Sequence, residues 1–140
     1  MNYVIGVIAS LLVAAFARYV GLDRDRAFYP TVLIVIASYY LLFAVMAGST
    51  RALILESVVM AVFAAFAVAG FKRSMWLTVA GLFAHGVMDF FHGHLVDNPG
   101  VPGWWPGWCL AYDVGAAAAL AWIIRAGAPR ALDSASFEAR

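Results

Sequence analysis

Three residues in one apolar stretch carry the first chemical signal: His85, Asp89 and His92, spaced four and three apart. On a helix turning about 100° per residue they fall within an arc of about 60°. Thr78 and Gly81 extend the same stripe, and Phe83, Val87, Phe90 and Phe91 lie on the other side. Glu56 and Asp113 sit in two further apolar stretches, with no Lys or Arg inside any of the three. Arg51 is the nearest basic residue, five positions before Glu56, which is a poor helical spacing for a pair. A carboxylate taken out of water must be protonated, pair with a histidinium or bind a cation.

His85 and His92 are separated by about 10 Å along a helix axis. All three stripe residues therefore do not reach one ion together. One ion takes two of them plus Glu56 or Asp113, or two ions are bound, or the row relays protons. Mixed imidazole and carboxylate donors suit a divalent transition metal, Zn²⁺, Fe²⁺ or Mn²⁺. Copper suits this set less, although Cys109 turned inward would favour zinc or copper. The metal set is thus His85, Asp89, His92, Glu56 and Asp113. Glu56 and Asp113 double as candidate general bases beside a metal-bound water, or as carboxylates that orient a histidine. His94, Cys109, Tyr112 and Tyr39 are secondary candidates. Each has a simpler reading: a solvated loop residue for His94, a small buried apolar residue for Cys109, and locally bonded phenols for the tyrosines. The competing reading of the whole set is interhelical hydrogen-bond glue, which suits one pair better than five residues.

Composition says which elements must hold these groups. The chain has 140 residues, 65% of them hydrophobic and 12% charged, and its mean hydropathy is +0.88. Soluble domains carry about 45–50% apolar and about 25% charged residues. Disorder is excluded by this hydrophobicity, a disulfide scaffold by the lone cysteine, and nucleic-acid binding by a net charge of +1 with scattered basic residues. An all-α integral membrane protein remains, with five spans near 3–20, 30–47, 52–71, 75–92 and 104–124. These form one domain, 1–125, followed by a short polar tail over 126–140 that is expected to be disordered. Between spans stand Asp23-Arg24-Asp25-Arg26, Gly48-Ser49-Thr50-Arg51, Lys72-Arg73-Ser74 and a longer turn from His94 to Gly103.

Eight of the nine basic residues fall on one side of these spans and only Arg51 on the other. That bias places the C-terminus in the cytoplasm and the N-terminus outside, in the periplasm. Counted from the outer ends, Asp113 and His85 reach similar depths, and Glu56 and Asp89 do likewise. The five residues can then converge in the outer half of the membrane if their three helices are neighbours. Small size and the absence of an organelle signal point to a bacterial inner membrane. The tryptophans lie near span ends as an aromatic belt would, and the Trp104-Trp105-Pro106-Gly107-Trp108 run could also roof a cavity or grip a lipid.

Membrane lipids are the expected partners, with a lipid or amphiphilic substrate if the site is a hydrolase or an oxidoreductase. A cation or proton-coupled carrier is the alternative, and five helices would then need a homo-oligomer. No internal repeat supports a carrier, and the polar residues stop midway through the spans. An accessory membrane subunit is the third reading. The orientation is directly testable. A fluorescent protein fused after Arg140 is expected to fluoresce, and alkaline phosphatase fused at Asn98 to be active. The reverse pattern would invert the topology.

Overall fold

The computed structural model describes the backbone of residues 1–138 and the side chains of residues 1–127. Among these, five α-helices carry the chain: α1 (Asn2–Val20), α2 (Phe28–Met46), α3 (Thr50–Lys72), α4 (Met75–Leu95) and α5 (Trp105–Glu138). A 3₁₀ turn at Leu22–Arg24 joins α1 to α2. Helix ends fall close to those expected from the apolar runs, apart from the end of α5. The tail expected over 126–140 lies mostly outside the residues whose side chains are described.

The breaks follow from local chemistry. Gly48 takes a positive φ of 65° after α2, and Ser49 then caps α3 by accepting the Ala52 amide at 3.3 Å. Ser74 caps α4 by accepting from the Trp76 amide at 3.4 Å. Both serines supply the side-chain oxygen that a helix start lacks. Pro30 and Pro106 sit in the first turns of α2 and α5, where a missing N–H breaks no intrahelical bond.

Four helices, α1, α2, α3 and α5, are long and apolar enough to cross a membrane. The fourth in order, α4, has 21 residues and falls short in apolarity, because its inner face is given to Thr78, Gly81, His85, Gly86, Asp89 and His92, all buried. Phe83, Val87, Phe90 and Phe91 are exposed on its outer face. This is the inverted amphipathicity expected from the sequence. A helix with polar groups inward and aromatic ones outward is stable where the surroundings are apolar.

The packing order differs from the chain order. α4 lies between α3 and α5, α2 packs on α3 and reaches α4, and α1 packs on α5. The buried core takes Leu33, Ile36, Ala37 and Tyr40 from α2 and Cys109, Ala116, Ala117 and Leu120 from α5, with Phe63 and Ala67 of α3 and Leu82 of α4 in the same cluster. Among the tryptophans, Trp105 turns inward against Tyr39 and Phe43, whereas Trp104 stays exposed. Trp105 and Trp108 form one wall of an apolar groove of about 380 Å³ bounded by residues of α1, α2 and α5.

Gly86 sets the approach of α4 to α5. A Cβ there would stand 3.2 Å from the Leu110 carbonyl oxygen and 3.3 Å from Asp113 Cβ. Gly86→Leu is expected to cost about 1–3 kcal/mol through overpacking, read as a lower thermal midpoint in detergent. Gly93 has open space around it, so Gly93→Ala is expected to leave the midpoint in place. Equal effects at the two positions would refute the close-approach role of Gly86.

Candidate metal centre

Two pairs of residues, each one helical turn apart, face each other across the α4–α5 contact. His85 and Asp89 come from α4, and Cys109 and Asp113 from α5. Spacing of four puts each pair on one face of its helix, and Gly86 lets the two faces close. His85 Nδ1 lies 2.6 Å from Asp113 Oδ2 and 3.5 Å from Asp89 Oδ2. Cys109 Sγ lies 3.9 Å from Asp113 Oδ2. One ligand atom from each of the four falls within 4.8 Å of all the others, and all four residues are buried.

The cluster is under-satisfied. His85 Nε2, Asp89 Oδ2 and Asp113 Oδ1 are buried with no hydrogen-bond partner in the protein. Asp89 Oδ2 is near enough to His85 for an ion pair, but it is not aligned for a hydrogen bond. Each such group costs about 1–3 kcal/mol when left unpaired. Two carboxylates meet one imidazole, and no Lys or Arg pairs with them among the described residues; Arg18 with Asp23, at 2.9 Å, is the ion pair that uses an arginine. With both carboxylates ionised, even a protonated His85 leaves one negative charge over. The donor set of nitrogen, sulfur and two carboxylates fits a divalent transition metal.

Tyr40 of α2 anchors the cluster from a third helix. Its hydroxyl donates to Asp89 Oδ1 at 2.5 Å. It lies on a buried stripe through Leu33, Ala37, Tyr40 and Ala44, whereas Tyr39 is exposed and packs on Trp105 at 4.9 Å between ring centroids. Phe63 of α3 meets the His85 ring edge-on at 4.7 Å.

Glu56 and His92 form a separate pair. Glu56 Oε1 lies 2.8 Å from His92 Nε2. Asn98 Nδ2 donates to the same oxygen at 3.0 Å and to the Tyr40 carbonyl at 3.0 Å. The Tyr40 ring stacks on His92 with centroids 4.0 Å apart. Tyr40 thus touches both groups.

The five residues read from the sequence as one metal set therefore fall into two groups. His85, Asp89 and Asp113 meet, joined by Cys109. Glu56 and His92 pair one to two turns along α4. The meeting of His85 with Asp113 agrees with the similar depths expected for them from the sequence. Glu56, expected as a general base beside the same ion, is outside the four-residue cluster. His94 is exposed. Tyr112 stacks on Trp108 at 5.4 Å and makes no hydrogen bond to the cluster. Cys109, a secondary candidate, belongs to the group. Asn98, within the turn from His94 to Gly103, is not among the candidates read from the sequence, because nothing in a sequence marks which turn residue reaches inward.

Compared with known proteins, the chain matches no family model, no curated relative and no solved structure.

The Tyr40 hydrogen bond can be weighed directly. Tyr40→Phe removes a bond to a buried charged acceptor and is expected to cost about 1.5–3 kcal/mol. Tyr39→Phe is expected to be silent. Thermal unfolding in detergent compares them. Indistinguishable midpoints for the two variants would show that the Tyr40 hydroxyl does not hold Asp89.

Proposed function

We propose that this chain is an integral membrane protein that holds one divalent transition-metal ion, zinc foremost, at His85, Asp89, Cys109 and Asp113. The observation that carries the reading is the meeting of four buried donor atoms within 4.8 Å, a group that lacks one positive charge when both carboxylates are ionised. A cation supplies that charge and gives the unpartnered Asp89 and Asp113 oxygens something to bind. The thiol favours zinc over manganese, because soft sulfur donors select zinc and copper. Tyr40 then orients Asp89, as hydrogen-bonded groups around metal sites orient the ligands.

In this reading all five helices span a bacterial inner membrane. α4 crosses because its polar face is covered by α2, α3 and α5. The basic side is cytoplasmic, and the site lies in the outer half of the bilayer. If one carboxylate stays off the ion, an open position remains for water, as in hydrolytic zinc sites. The substrate would then be a lipid or another amphiphile. Against transport stands the apolar packing on the inner side of the cluster. Leu82 and Leu33 are buried there, and Gly81 abuts Leu33 and Phe66, which leaves Thr78 as the only polar side chain of the α4 stripe on the inner side of His85.

Protein purified in detergent without chelator or affinity-tag metal is expected to carry about one zinc per chain by elemental mass spectrometry. His85→Ala and Cys109→Ser are expected to lose most of it, and His94→Ala to retain it. Less than about 0.1 metal per wild-type chain after incubation with zinc, iron, manganese or copper would end the reading.

A further inference from the structure

A set of unpaired charges gathers where α3 begins and α4 ends. A cavity of about 380 Å³ opens there. Arg51, His94 and Asp97 line it, and all three are exposed. Arg51 and Asp97 are of opposite sign, yet no ion pair joins them, and none of the three has an ion-pair partner among the described residues. The other basic side chains described, Arg18, Arg24, Arg26, Lys72, Arg73 and Arg125, belong to the opposite helix ends. An acid and a base that share a cavity without closing on each other leave room for a ligand that carries both charges.

Beside the charges the walls turn apolar. Leu55 and Leu95 line the same cavity. Phe91 and Val87 follow Leu95 at steps of four along α4, and Val58 and Val62 follow Leu55 at three and seven along α3; all six are exposed. Such steps keep to one helix face, and α3 packs on α4. A charged recess therefore runs into an uncovered apolar surface, which suits a phospholipid better than a soluble anion. Gly93, also on the cavity wall, has nothing within 4 Å of where its Cβ would stand.

We propose that this cavity holds the headgroup of an aminophospholipid, whose phosphate is joined through a short carbon link to a primary ammonium, as in phosphatidylethanolamine. Arg51 takes the phosphate through its planar fork of N–H donors. A ring N–H of His94 donates to the phosphate in either protonation state, and Asp97 accepts from the ammonium. The acyl chains lie along the stripes of α3 and α4. Phosphatidylglycerol lacks the ammonium and phosphatidylcholine has no N–H to donate, so Asp97 selects against both. The inference rests on the membrane part of the proposed function and not on the buried metal.

Native mass spectrometry reads the site, with protein in detergent mixed with equal amounts of phosphatidylethanolamine, phosphatidylcholine and phosphatidylglycerol. Wild type is expected to retain one phosphatidylethanolamine, in roughly fivefold preference over the other two. Asp97→Asn is expected to erase the preference while keeping phospholipid bound. Arg51→Gln is expected to lower the phosphatidylethanolamine adduct roughly fivefold, and Gly93→Leu to lower it at an unchanged thermal midpoint. Lys72→Gln, at the opposite helix ends, is expected to change nothing. Equal adducts of the three lipids on wild type, or a preference that survives both Asp97→Asn and Arg51→Gln, would overturn the site. An adduct of soluble phosphoethanolamine as abundant as that of the lipid would overturn it too. Zinc shows as its own mass increment, so a wild type that holds the lipid without zinc would fail the metal reading and leave this site standing.

Discussion

Two carboxylates and one imidazole, closed off from water with no arginine or lysine, set the constraint on which this molecule turns. Asp89 and Asp113 stand on adjacent helices, and His85 touches both. Charge buried in an apolar medium is tolerated only when it is neutralised and its lone pairs are used. Protein groups meet that demand in part: Tyr40 serves one oxygen of Asp89, and His85 one of Asp113. The remaining deficit is one of partners for Asp89 Oδ2 and Asp113 Oδ1 and, with both carboxylates ionised, of one positive charge. A bound cation relieves both at once.

The packing of the helices serves that deficit. α4 gives up apolarity to carry the stripe, so it must be enclosed, and it lies between α3 and α5 with α2 against it. Gly86 brings α5 close enough for His85 to reach Asp113. Tyr40 holds Asp89 with its hydroxyl, supports His92 with its ring and receives Asn98 at its carbonyl. A single residue of α2 therefore touches both the buried cluster and the Glu56–His92 pair, and the 96–104 segment is tied to the same point through Asn98.

Much of this was legible in the residue order. Apolar runs locate five helices, and the His85, Asp89 and His92 stripe defines the inner face of α4, because both depend on local periodicity. Depth counting matches His85 with Asp113, but it sets Glu56 level with Asp89, whereas Glu56 pairs with His92. What local pattern could not show is which side chains share one point in space. Cys109 looks like any small buried residue until the α4–α5 contact turns it towards Asp113. Tyr39 and Tyr40 are adjacent in a helix that is apolar all round, so only the buried stripe through Leu33 and Ala37 chooses between them. Asn98 acts across a loop whose path no periodicity describes. The division of five residues into two groups is likewise a product of helix crossing, not of spacing along α4.

The most direct test of the central claim is X-ray absorption at the zinc edge of the loaded protein, compared with Cys109→Ser. One sulfur scatterer at about 2.3 Å with nitrogen or oxygen neighbours at about 2.0–2.2 Å, the sulfur vanishing in the variant, is the expected result. A wild-type spectrum with only nitrogen and oxygen neighbours, or a sulfur shell that survives Cys109→Ser, would contradict it.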